Sequence, residues 1–268
     1  DVVTYKVLVW GNGMLGQTTL PDGLGSVTAV SAGYSHNVSL REDGTLRAWG
    51  DNRFKQCNVP PDKFKDVDSG IFHSLGLRND GTVEAWGFDS NGQLRVPHGL
   101  TGVTMVRAGG THSLALTADG KVHAWGNEYD GQCDVPSGLS DVVAIDAGLS
   151  HSVAVRSNGS VVAWGSDEYG QSSVPEGLMN VLSVSASDNH NVALLRNGSV
   201  VTWGGNEFGQ RNVPAAIDGS SGRRSSALKV VGVAAGLFHS LALLEDGSVL
   251  SWGSNSHGQT TIPPGLSD

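Results

Sequence analysis

Seven copies of one frame constrain what this chain can fold into more than any other feature: Trp-Gly, with Gln seven residues and Pro eleven residues after the Trp. The tryptophans are Trp10, Trp49, Trp86, Trp125, Trp164, Trp203 and Trp252, and the chain has no others. They lie 39, 37, 39, 39, 39 and 49 residues apart, a period near 40 residues that is typical of propeller blades. A unit repeated from end to end, with no linker, argues for one closed domain over residues 1–268.

Six of the frames carry a further pattern before the Trp. His36, His73, His112, His151, His190 and His239 each stand 13 residues ahead of it, and an Asp-Gly or Asn-Gly pair ends five residues ahead. Such pairs accept the positive φ that a two-residue hairpin turn demands. In one full repeat, Val142–Ala147 and His151–Arg156 alternate as strands a and b. Residues 160–165 then read as strand c, 166–170 as a loop, and 171–175 as an edge strand d ended by proline. The expectation is an all-β, seven-repeat propeller of four-stranded antiparallel blades, one of them incomplete. The segment before Trp10 lacks strands a and b, so the ring closes if 1–5 supply a substitute strand or the natural chain is longer. An inserted loop, rich in Gly and Ser, accounts for the long last interval at about 217–228.

Charged residues make up only 16% of the chain and the net charge is -9, which argues against double-stranded nucleic acid as a partner. No apolar run is long enough to insert in a bilayer. The sequence contains no signal peptide, and it starts at Asp1 without Met, which points to processing or excision from something longer. Cys57 and Cys133 follow Gln at the same place in two repeats, too far apart for a disulfide, so both read as free thiols. Asn37, Asn158 and Asn197 begin Asn-x-Ser sequons, the last two within Asn-Gly turns.

The elements Ala-Gly-x-x-His-Ser-Leu-Ala-Leu, Asp-Gly and Trp-Gly-x-x-x-x-Gly-Gln, as they stand between Ala108 and Gln132, resemble the repeat of the regulator of chromosome condensation family. The resemblance implies a seven-bladed propeller. The short repeat and its Gln-x-x-Val-Pro ending are more similar still to the propeller-type β-lactamase inhibitory proteins, and residues 51–56 are similar to one of their loops. That likeness implies a secreted protein that blocks an enzyme with one face of its disc.

In a meander of this kind the a–b and c–d loops share one face and the nearly uniform b–c turns lie on the other. Specificity is therefore expected in the variable loops. An aromatic recurs near the end of the c–d loop, in Phe54, Tyr129, Tyr169 and Phe208, and the a–b loops add Tyr34, Phe72 and Phe238. Phe88 and Arg53 stand at aperiodic positions, as Phe72 and Phe238 do, and these four are the better candidates for specificity. Asp51, Asp89, Glu128, Asp130, Asp167, Glu168 and Glu207 outnumber Arg53 and Lys55, so the face is expected to be acidic with aromatic platforms. The matched histidines and tryptophans are read as blade components, because a residue repeated in every blade serves the blade. No metal site and no cofactor is expected.

The leading expectation is a monomeric, extracellular, non-enzymatic module that binds a protein partner and inhibits an enzyme. The alternative is a carbohydrate-binding or polysaccharide-cleaving propeller, with Asp188 and His190 as its acid/base candidates in the one repeat whose Ala-Gly is replaced. A third is guanine nucleotide exchange or a scaffold role.

Overall fold

The computed structural model describes residues 6–219, 229–264 and 266. Among them, three-stranded antiparallel sheets are formed by β1 (Val27–Ala32), β2 (His36–Arg41) and β3 (Leu46–Gly50), by β4 (Phe64–Ser69), β5 (His73–Arg78) and β6 (Val83–Gly87), and by β7 (Val103–Ala108), β8 (His112–Thr117) and β9 (Val122–Gly126). Three more consist of β10 (Val142–Ala147), β11 (His151–Arg156) and β12 (Val161–Gly165), of β13 (Val181–Ser187), β14 (His190–Leu195) and β15 (Val200–Gly204), and of β16 (Val230–Ala235), β17 (His239–Leu244) and β18 (Val249–Gly253). Each sheet packs on the next, and the first strands of successive sheets adjoin, which makes them the inner ring.

The middle strands of the four inner blades, β5, β8, β11 and β14, are buried along almost their whole length because each is covered by a sheet on both faces. The core accordingly lies between blades: Leu114 and Leu116 of β8 meet Val142 and Ile145 of β10 and Trp164 of β12. The Asp-Gly and Asn-Gly turns form as the sequence implies, with Gly44 and Gly81 at φ 82° and Gly159 at φ 81°.

Two expectations are corrected here. The described residues hold six blades of three strands, not seven of four. Residues 171–175 form no strand d because their polar groups are already engaged. The Ser172 and Ser173 amides donate to the Asp167 carboxylate at 2.9 Å, and the Val174 amide to the Ser172 carbonyl. The Gln171 carbonyl faces the next blade, where it accepts from Trp203 Nε1 at 3.0 Å and Asn191 Nδ2 at 2.9 Å. The alternation Gln-x-x-Val-Pro is thus that of a turn and a bolt, not a ladder.

That bolt links every neighbouring pair. Between the third and fourth blades, His112 Nε2 lies 2.9 Å from Ser152 Oγ, and Ser152 Oγ donates to the Gln132 carbonyl at 2.9 Å. Trp164 Nε1 donates to the same carbonyl at 3.0 Å. The serine proton is spent on the carbonyl, so the imidazole donates from Nε2, and its buried Nδ1 has no protein partner. Ser152→Ala is expected to cost about 1–3 kcal/mol by stranding a buried imidazole N–H. Ser152→Asn should recover part of it, since Asn191 makes the same links in the fifth blade. Urea midpoints of the two variants measure the difference.

The seventh frame, at Trp10, closes the circle of bolts: Trp10 Nε1 donates to the Gln259 carbonyl at 3.0 Å. No described residue around it forms a strand, and residues 1–5, where a substitute strand was expected, lie outside the described residues. The flanking faces show this: Val30 is 58% and Leu243 43% exposed, where their counterparts Val106 and Val155 are at 0%. Of the insert at 217–228, Ile217 is a core residue and residues 220–228 lie outside the described residues.

Candidate functional site: the a–b and c–d loop face

Each c–d loop is tied at its start to the a–b turn of its own blade. The amides of Asp51, Phe88, Asn127, Ser166, Gly205 and Ser254 donate to the carbonyls of Ser35, Phe72, Thr111, Ser150, Asn189 and Phe238. On the opposite face the b–c turns meet the entries to the next blades, as in Phe64 N to Gly44 O and Val142 N to Gly120 O. The two faces are therefore divided as the meander implies.

The frame glutamine pins the far end of each loop. Its buried Oε1 accepts the amide two residues back, from Phe54, Asn91, Asp130, Tyr169 and Phe208 among others, at 2.8–2.9 Å. This register separates residues that their shared place near the loop end groups together. Asp130, not Tyr129, is the counterpart of Phe54, Tyr169 and Phe208, and Tyr129 stands one residue nearer its tryptophan.

Over the first two blades the aromatics pack on one another. Phe54 lies 5.0 Å from Phe72 and 4.6 Å from Phe88, centroid to centroid, and Tyr34 lies 6.3 Å from Phe72. Phe208 and Phe238 pair at 4.7 Å between the fifth and sixth blades. Arg53 closes on the buried Asp51 through Nε and Nη2, each at 2.9 Å. Lys55 holds φ 66° where the other loops have glycine, so the loop most crowded with aromatics also stores backbone strain. Tyr129 and Tyr169 have no ring partner among the described residues, and Tyr129 is 91% exposed.

The acids divide into structural and free groups. Asp167 accepts from Ser172, Ser173 and the Ser173 hydroxyl, and Asp89 from the Leu94 amide. Glu128, Asp130, Glu168 and Glu207 are exposed. Asp188 and His190 do not form an acid/base pair: His190 is fully buried, with Nε2 3.0 Å from Ser240 Oγ, and burial lowers its pKa to about 4. Asp188 sits in the a–b turn, its carboxyl raised by burial and by Glu207. Among the described residues no His, Cys, Asp and Glu cluster could hold a metal.

Cys57 and Cys133 are free, each thiol donating to a loop carbonyl, and burial raises both to about 11. Of the sequons, Asn37 lies within β2 with Nδ2 on the Gln17 carbonyl, whereas Asn158 and Asn197 are exposed.

The sequence reading missed the stitching of the inner ring. Asp68 accepts the Ala108 amide and Asp146 the Ala186 amide, both at 2.8 Å, while Arg107 reaches Asp66 and Asp146 on either side. The available signal was a carboxylate at the fifth residue of strand a in two repeats.

The regulator of chromosome condensation (RCC1) repeat model matches six times, over 27–56, 64–93, 103–132, 142–171, 181–210 and 230–259. No curated protein matches the chain. Among solved structures, Prp20p from Saccharomyces cerevisiae is similar with a TM-score of 0.78 at 20% identity, over 95% of this chain and 82% of that one. Human WBSCR16 gives 0.72 at 20% identity over 89% and 79% of the two chains. The ectodomain of the Physcomitrella patens receptor kinase CR4 gives 0.71 at 23% identity over 90% and 66%. At these identities the likeness is one of fold.

Proposed function

The chain belongs to the regulator of chromosome condensation (RCC1) repeat family, and from that premise we propose that it is a non-catalytic module that docks a protein on its a–b/c–d loop face. One observation carries this reading: the exposed aromatics Tyr34, Tyr129, Tyr169 and Phe208 all stand on that face, on loops whose backbones are held at both ends. Stiff aromatic side chains on fixed loops bury area at low entropic cost, as a docking surface requires. Prp20p, which shares the fold, has been studied for its binding to Gsp1p and histones, which supports a protein as the partner.

The finer proposal is a monomeric, extracellular inhibitor of an enzyme. Its support is the short repeat with the Gln-x-x-Val-Pro ending. Two experiments test the levels separately. In a Cys57→Ser/Cys133→Ser background, a polyethylene glycol adduct on Glu207→Cys is expected to abolish capture of the partner from the native environment. The same adduct on Asp80→Cys, in a b–c turn, should leave capture intact, and the reverse pattern would move the docking face. Titration of a β-lactamase with the protein tests the inhibitor reading: stoichiometric loss of cephalosporin hydrolysis is expected, and undiminished turnover would remove that proposal while leaving docking in place.

A further inference from the structure

Resting on the docking reading above, we infer that the anchors of this face are Tyr129 and Tyr169, and that the partner they fit is a protein surface with Lys or Arg around an apolar pocket. The phenylalanines are the weaker anchors because their rings already pack on one another. Phe54 touches both Phe72 and Phe88, so docking there gains only the area those contacts leave open, and Phe208, 49% exposed, already rests against Phe238. Tyr129 is 91% and Tyr169 43% exposed, with no ring against either among the described residues. A partner that covers Tyr129 gains nearly the whole ring.

Both tyrosines are presented on backbone that has little freedom left to lose. The Tyr129 amide donates to Asn127 Oδ1 at 2.9 Å, and the Asn127 carbonyl accepts from Cys133 Sγ. The next amide, that of Asp130, is held by Gln132 Oε1. The Tyr169 amide is held by Gln171 Oε1 at 2.8 Å, and Asp167 clamps its loop to Ser172 and Ser173. Association therefore costs little loop ordering.

Charge complementarity names the partner's chemistry. Glu128 and Asp130 flank Tyr129, Glu168 precedes Tyr169, and Glu207 lies one blade further on, all exposed. The a–b and c–d loops of these blades, 109–111, 127–131, 148–150, 166–170, 187–189 and 205–209, contain no Lys or Arg. A basic rim would be steered in by this field, and a cation placed over a tyrosine ring adds attraction that an acidic rim cannot have. The first two blades are different, with two exposed bases in one c–d loop, Arg53, which is paired with Asp51, and Lys55.

The test uses a displayed library of random dodecapeptides selected against the full chain. Enriched peptides are expected to combine Lys or Arg with an apolar residue. They should bind at least tenfold more weakly to Tyr129→Ala/Tyr169→Ala, whose melting midpoint should stay that of the parent because both rings are exposed. Tyr129→Phe should retain binding, and Glu128→Lys/Glu168→Lys should lose it. The inference fails if no peptide is enriched or if the winners are acidic. It also fails if binding is lost in Phe54→Ala/Phe72→Ala and kept in the tyrosine pair, although the docking face then stands. Winners indifferent to both pairs would overturn the inference and the face reading together.

Discussion

Acidification from pH 7 to pH 5 is expected to strip most of the stability from this protein, with several protons taken up on unfolding. Burial lowers His36, His151 and His190 to about 4 and His73 and His112 to about 3, each from 6.5. The folded chain therefore refuses protons that the unfolded chain accepts, and stability rises with pH wherever that inequality holds. The contribution is complete above pH 6.5 and is lost as pH falls toward the folded values. Within that window each histidine contributes a slope approaching 1.4 kcal/mol per pH unit, and five together rival a whole domain's stability of roughly 5–15 kcal/mol.

Two aspartates act in the opposite sense. Burial raises Asp68, and raises Asp146 to about 6 against 3.8, so their folded forms hold protons that the unfolded chain releases. Their contribution grows as pH falls through 6, but Arg107 lies alongside both and favours their charged forms, and two groups offset only part of the effect of five histidines. Urea unfolding at pH 7.5, 6.5 and 5.5 should show a falling midpoint with an unchanged slope. A midpoint that holds steady down to pH 5 would mean that the imidazoles find water or protons in the folded state.

The bolt behind this pH dependence was only half legible in the sequence. Seven identical frames and six matched histidines announced a repeat and the exact placement of strands b, because a period of near 40 residues and an Asp-Gly turn are local signals. The role of Gln132 was not local. Its side chain serves its own loop while its carbonyl serves Trp164, 32 residues on, and a sequence gives no sign that a backbone oxygen is already taken. The same blindness produced strand d, whose alternation is real but whose amides belong to Asp167. Asp68 and Asp146 passed as the polar face of an alternating strand until the ring brought the Ala108 and Ala186 amides to them. For the candidate site, the residue types and the loops that share one side of the disc could be read from the chain. Aperiodicity can be read there too and points to Phe72 and Phe88, whereas the packing of a ring on its neighbour cannot.

The glycine after each tryptophan bears the second large effect, and Gly165→Ala is expected to destabilise the protein by about 3 kcal/mol or more. Gly165 holds φ +99°, and a Cβ there would lie 2.6 Å from the Ser150 carbonyl oxygen and 2.9 Å from the His151 Cα. The third neighbour is the Gln132 Cα at 3.1 Å, so backbone of the adjoining blade closes the remaining side. None of these atoms is the end of a flexible side chain, and relief would require the a–b turn to separate from the c–d loop that it holds. Positive φ alone is a smaller matter. Gly170 holds φ +78° with nothing within 4 Å, and Lys55 occupies the same loop position in the first blade at φ 66°. Gly170→Ala should therefore cost only about 1 kcal/mol, the ordinary strain of a left-handed residue. For a domain of this size the contrast corresponds to roughly 6–12 °C in melting midpoint for Gly165→Ala against a few degrees for Gly170→Ala. Equal shifts would show that φ, and not the approach of two blades, is what reserves the residue after each tryptophan for glycine.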